Sequence, residues 1–264
     1  MADLLIEIFG KPQGIIIFQL LSACRFTIYL CLIAFLGGGA VAGMVTLLRI
    51  SQIPPLQPLA TSYIWLFQSV PLLMLLFLIG LGVPRLFDIN VNPWTAATVA
   101  LILFTSAYLA EVWRGAIESV ARGQWEASFA LNIRYSLLLR KVILPQAIKS
   151  GIAPTVGFMV QIIKGTSLAY IIGFNDLMLA GKRWANAPVL GSEPFVVFPL
   201  MAVMYFCICY PLAIFARWRR SATGNWMKMQ PTKKPWNILK GYRFRNSRTN
   251  CPGNCQAANS NASR

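Results

Sequence analysis

Residues 26–48 read FTIYLCLIAFLGGGAVAGMVTLL, a run of 23 positions without a charge. A helix needs about 20 predominantly apolar residues to cross the hydrocarbon core of a bilayer, so this stretch is long enough to span one. Four more segments pass the same test. Residues 59–81 and 194–216 carry no charge, 94–113 carry only Glu111 near their end, and 147–172 carry Lys149 at the start and Lys164 further in. Helix-breaking residues separate them: Pro54, Pro55 and Pro58, then the stretch from Gly82 to Pro93, then Pro145, then Gly181 to Gly191. The pattern predicts an all-α integral membrane protein with about five transmembrane helices.

Composition agrees with that class. Of 264 residues, 56% are apolar and 12% charged, and mean hydropathy is +0.58. A soluble domain carries roughly a quarter charged residues, which excludes an ordinary soluble enzyme. Histidine is absent, so His-based catalytic triads and His-ligated metals are excluded. Cys24, Cys31, Cys207 and Cys209 lie in or beside the spans and read as small apolar fillers. Cys251 and Cys255 have no His or acidic partners in the tail, so no metal site is assigned. The net charge of +16 is uneven: residues 217–264 hold 11 of the 24 Lys and Arg and no acid, leaving 13 basic against 8 acidic residues in the rest. The excess belongs to a tail, so no nucleic-acid partner is indicated. That basic, Asn/Ser/Ala-rich tail reads as a disordered cytoplasmic segment in contact with anionic headgroups.

Three parts follow: an N-terminal periplasmic or interfacial segment over 1–25, a transmembrane domain over 26–216 with a cytoplasmic loop over 114–146, and the tail over 217–264. Residues 14–24 are apolar but too short to cross alone before Arg25 interrupts them. They form either an entry segment or the start of a first span near Ile15. Asp3 and Glu7 stand where a signal peptide has positive charge, so the first span is expected to be its own insertion signal. Arg114, Arg122, Arg134, Arg140, Lys141 and the tail fall on one side. The opposite loops carry Arg85, Lys182 and Arg183 against Asp88, Asp176 and Glu193. The positive-inside rule then places the N-terminus out and the C-terminus in. Trp94, Trp113, Trp184 and Trp218 fall near span ends as interfacial anchors. No internal repeat marks the chain as a self-contained transporter, and five helices rarely enclose a solute cavity alone, so a second permease chain, the same or a sister, is expected.

The cytoplasmic loop is the informative part. A short helical run from Glu126 contains the small residues Ala127, Ser128 and Ala130 and stops at Asn132, which tolerates the left-handed conformation. A second run over 134–141 leads to Val142, Ile143, Leu144 and Pro145, with Pro suited to the first turn of the next helix. The spacing predicts a helix-turn-helix projecting from the membrane, with small residues that let a partner approach and Glu126 favoured by the helix dipole. The plainer reading is a solvated amphipathic loop.

The loop resembles that of ABC-transporter permeases, E-A-A-x3-G-x9-I-x-L-P. Here it stands as E-A-S-x3-N-x9-V-x-L-P, from Glu126, Ala127 and Ser128 through Asn132 and Val142 to Leu144 and Pro145. Motifs of the polar amino acid uptake branch surround it: Ala107 and Tyr108 with Glu111, Arg114 and Gly115; Gly123-Gln124-Trp125-Glu126-Ala127; Leu144-Pro145-Gln146-Ala147; and Ile163-Lys164-Gly165-Thr166-Ser167-Leu168. The branch's F-R-G-T-P-L-L is Phe67-Gln68-Ser69-Val70-Pro71-Leu72-Leu73, so Gln68 replaces an Arg, and Gly165 replaces an Asp of the fourth-span motif.

The resemblance covers roughly residues 14–216. It implies the type I importer permease fold in the bacterial inner membrane. It also implies two copies of a separate ABC ATPase subunit that binds ATP and Mg, a periplasmic amino-acid-binding protein, and polar amino acids as cargo. Gly123, Gln124, Glu126, Ala127, Ser128, Ala130, Asn132, Val142, Leu144 and Pro145 would form the ATPase-coupling loop.

Lys164 is the deepest charge of its span. Such charges usually face a cavity, although a lysine can also snorkel to an interface. Gln68, Tyr108, Thr166 and Ser167 join it as candidates for the translocation path. Gln68 and Pro71 mark either a locally opened helix or packing against a neighbour. Glu111, Arg114 and Glu118 are spaced to pair along one helix face, as a structural ladder. No G-x4-G-K-[ST] loop occurs, so this chain supplies no P-loop, binds no cofactor of its own and is expected to be non-catalytic. The alternative is a stand-alone oligomeric channel or secondary transporter. A membrane enzyme is disfavoured, since Glu111 is the only carboxylate within a span.

Overall fold

A computed structural model describes residues 13–51, 55–188 and 193–227, together with Glu7, Gly10 and Lys11. Most of the first 12 residues and of the basic tail, with Cys251 and Cys255, lie outside the described residues. Helix α1 runs over Gln13–Ile50, α2 over Leu56–Ser69, α3 over Leu72–Phe87 and α4 over Pro93–Glu118. Helix α5 covers Arg122–Ala130, α6 Tyr135–Ile172, α7 Leu177–Ala185 and α8 Pro194–Met227. Four of these, α1, α4, α6 and α8, are individually long and apolar enough to cross a membrane, and α2 with α3 makes a fifth span if the pair is counted as one.

Two expected boundaries moved. Helix α1 passes through Arg25 without a break, so 14–24 open one 38-residue helix, which is the alternative of a first span starting near Ile15 and not a separate entry segment. At about 1.5 Å per residue it is far longer than the hydrocarbon core is thick. The second span is not one rod: α2 and α3 meet at 96°. Pro71 has no N–H to donate and holds Val70 extended at φ −91°, ψ 125°, as a residue before proline prefers.

The core is built of small residues. Helix α1 packs chiefly on α4; Ala34 and Ala42 of α1 and Ala97, Ala100, Ala107 and Ala110 of α4 are all fully buried. Gly38 is required at this crossing: a Cβ there would sit 2.7 Å from the Thr105 side chain. In a bilayer, close backbone approach supplies the packing that water-driven burial supplies elsewhere. Large residues such as Leu36, Met44, Trp65 and Phe206 are turned outward, as suits a lipid-facing surface.

Helices α6 and α8 complete the bundle against α4 and α6 respectively. Helix α6 ends at Gly173, whose φ of 84° lets the chain turn back. Asp176 then caps α7, its Oδ1 accepting from the Leu179 N–H at 2.8 Å.

Candidate coupling loop and translocation path

Helix α4 leaves the core through an ion-pair ladder. The Arg114 guanidinium bridges Glu111 one turn before it and Glu118 one turn after, the side chains being 20–36% exposed. Ser119 and Ser150 then tie the end of α4 to α6, their hydroxyls 3.1 Å apart. From this fixed exit the chain turns into α5.

One side chain holds α5 in place. Trp125 is 1% exposed and sits among Ile50 of α1, Ile117 and Val120 at the end of α4, and Leu138, Ile143 and Ala147 of α6. Ser128, one turn on, faces the same way and donates to the Gln124 carbonyl at 2.7 Å. The other face is open: Gly123, Gln124, Glu126, Ala127 and Ala130 are exposed. A Cβ on Gly123 would meet nothing within 4 Å. Small residues thus face outward at 123, 127 and 130, whereas Ser128 faces inward rather than toward a partner.

Helix α5 starts at Arg122, so Glu126 lies in the second turn instead of at the N-terminus. Its support comes from Arg122, whose Nε is 2.8 Å from Oε1, rather than from the dipole. The end of α5 is closed by the backbone. Asn132 takes φ 53°, its N–H donates to the Phe129 carbonyl at 3.0 Å, and the Ile133 N–H donates to Ser128 at 3.1 Å. This pair of bonds is a Schellman closure, with Asn in the position usually given to Gly.

The second arm is not a separate helix. It is continuous with the following span, and the join contains a wide turn over Leu139–Ile143. Pro145 cannot donate and would crowd the carbonyl four residues back, and a widened turn accommodates it without ending the helix. Val142 is half-buried, and Leu144 and Pro145 are exposed. Gln146 donates to the Val142 carbonyl at 2.9 Å and reaches the Gln124 side chain at 3.4 Å. The Tyr135 hydroxyl donates to the Ile50 carbonyl at 3.0 Å, fixing the loop to the end of α1.

The path candidates divide into two groups. Gln68, at the end of α2, donates to the Ala107 carbonyl at 3.3 Å. Tyr108 stacks on Phe158, with centroids 5.4 Å apart and planes within 12°. Gly165 receives Leu72 at the start of α3: a Cβ on Gly165 would lie 2.9 Å from Leu72 Cδ2. The bend between α2 and α3 therefore abuts the end of α6, where Lys164 is exposed and has no ion pair among the described residues. Thr166, by contrast, is buried and donates back to the Ile163 carbonyl at 2.7 Å, so it does not join an exposed wall. Ser167 is likewise turned on its own helix, donating to Lys164 at 2.6 Å.

Trp125 and Asp176 were not singled out by sequence reasoning. Trp125 was visible only as a motif letter. Asp176 is fully buried, with Oδ2 lacking a hydrogen-bond partner among the described residues. Burial pushes its carboxyl up to about 6, against the opposing pull of backbone N–H groups at Leu179 and Met178.

The sequence pattern of binding-protein-dependent transport system inner membrane components matches residues 36–220, from the middle of α1 through most of α8 and including the whole α5 loop. The chain belongs to that family. Among its relatives is the probable amino-acid ABC transporter permease protein YckA of Bacillus subtilis (strain 168), 32% identical over 72% of this chain and 82% of the relative. Another is the probable glutamine ABC transporter permease protein GlnM of the same organism, 33% identical over 71% of this chain and 85% of the relative. A crystal structure of an amino acid ABC transporter with histidines is similar at TM-score 0.71 and 28% identity, covering 76% of this chain and 93% of that one. This chain is accordingly a multi-pass inner membrane permease of the type I importer fold.

Proposed function

We propose that this permease is the non-catalytic membrane subunit of an ATP-driven importer of polar amino acids, and that the outward face of α5 receives the ATPase. The observation that carries the reading is the two-sidedness of α5. Trp125 joins it rigidly to the ends of α1, α4 and α6, while Gly123, Glu126, Ala127 and Ala130 leave a small-residue face open. A displacement of a docked partner is thereby passed to three membrane helices instead of being absorbed by a loose loop.

The proposed assembly has two permease chains, two ATPase chains that bind ATP and Mg, and a periplasmic binding protein that delivers the amino acid. ATP closes the ATPase pair, the α5 loops move with it, and the helices open outward. Cargo follows because it binds one state better than the other. Lys164, with Gln68 and Tyr108 behind the bend at Pro71, lies where an amino acid carboxylate would find a counter-charge. Cargo identity as a polar amino acid rests on the relatives.

Glu126→Lys tests the docking role. Glu126 is exposed and its ion pair with Arg122 is worth little, so the variant should insert and fold normally yet lose ATPase association and uptake. Unchanged uptake would remove α5 from the coupling scheme.

A further inference from the structure

On the α5 side of the bundle, α1, α4 and α6 line an open apolar cavity of about 540 Å³. Its walls include Leu47, Trp113, Leu144, Ile148 and Val156. The polar groups in the wall are occupied within the protein: Thr46 Oγ1 donates to the Ala110 carbonyl at 3.3 Å, and Trp113 Nε1 donates to Thr155 Oγ1 at 3.1 Å. The cavity therefore presents hydrocarbon. Leu47 and Ile148 at its mouth are 61% and 56% exposed on membrane-spanning helices, so the mouth faces lipid.

The rim has one sign of charge. Arg140 lines the cavity, Lys141 and Lys149 beside it are exposed, and none of the three is in an ion pair among the described residues. An apolar slot at a span end beneath exposed cations matches the two halves of an anionic phospholipid. We propose that the cavity binds one acyl chain of an anionic phospholipid, with its phosphate against Arg140. Ile50, Ile117 and Ala147 belong both to this cavity and to the cluster around Trp125, so the bound chain lies directly beneath the bed of α5.

The test uses the full-length permease, with the partner chains it retains on purification, in lipid nanodiscs. A minor fraction of the lipid is phosphatidylglycerol or phosphatidylcholine with brominated acyl chains. Trp113 lines the cavity, and the fluorescence that disappears in Trp113→Phe is assigned to it. Brominated phosphatidylglycerol should quench this component at a mole fraction about fivefold lower than phosphatidylcholine does, the preference one surface cation provides. Arg140→Gln, a change at an exposed residue, should abolish that preference and leave the other tryptophans unaltered. Equal quenching by the two lipids in the wild type would overturn the proposal. So would failure of either lipid to quench Trp113, since a protein segment would then cover the cavity.

Discussion

Replacing Trp125 with alanine should separate the loop from the bundle without unfolding the bundle. Trp125 is 1% exposed, and its indole N–H has no hydrogen-bond partner among the described residues. Its contribution is therefore packing alone. Truncating a buried Trp to Ala costs about 3–5 kcal/mol. The lost contacts all join α5 to the ends of α1, α4 and α6, whereas the α1–α4 interface lies elsewhere. The cost should accordingly appear as local opening. At 1.4 kcal/mol per factor of ten, amides of α5 should exchange roughly 100- to 4,000-fold faster, while those of α4 around Ala100 and Ala107 keep their protection. Hydrogen–deuterium exchange of the detergent-extracted protein reads both regions in one experiment. Trp125→Phe keeps most of the packing and removes the unpartnered N–H, so it should remain near wild type. Uniform loss of protection in Trp125→Ala would refute the reasoning, because the loop would then be integral to the fold. An unaltered α5 would refute it equally, by showing that Trp125 does not hold the loop.

Other outcomes follow from the same geometry. Gly38→Ala places a Cβ 2.7 Å from Thr105, whereas Gly43→Ala meets only Trp113 at 3.6 Å. The first should destabilise the extracted protein by about 1–3 kcal/mol and the second by much less, as measured by denaturant unfolding. Asp176→Asn retains the oxygen that caps α7 and removes the buried charge. The wild-type carboxyl is raised from near 3.9 to about 6, so its stabilising contribution is complete below pH 4 and lost as pH rises from 4 to 6. The shift corresponds to about 3 kcal/mol. Melting temperature should fall across that window in the wild type and stay level in Asp176→Asn, which should be the more stable of the two at pH 7. Equal pH profiles would mean that Asp176 ionises freely.

Membrane class, span number and the turn at Asn132 were legible because each is written locally, as apolar length or as one residue able to adopt positive φ. The α2–α3 bend was legible only as one of two readings of Gln68 and Pro71, a locally opened helix or packing against a neighbour, since hydropathy over 59–81 does not register the N–H missing at Pro71. Pro145 was read as belonging to the first turn of the next helix, and regular α-helix does begin at Leu144, but a wide turn over Leu139–Ile143 joins it without a break to the arm before it. Ser128 looked like a partner-facing small residue because spacing alone does not say which side of a nine-residue helix is buried. Trp125, which sets that side, is decided by Ile50 and Ala147, far away in sequence. Asp176 was hidden for a similar reason: its surroundings include Thr27 of α1, whose hydroxyl accepts from the Leu177 N–H across 150 residues.

The central claim is that α5 joins this permease to a separate ATPase. Native mass spectrometry of the tagged protein, gently extracted from its own membranes, tests it most directly. An assembly of two permease-type chains with two ATPase chains, reduced to permease alone by Glu126→Lys, is the predicted result. A lone permease oligomer that conducts solute without ATP would contradict it.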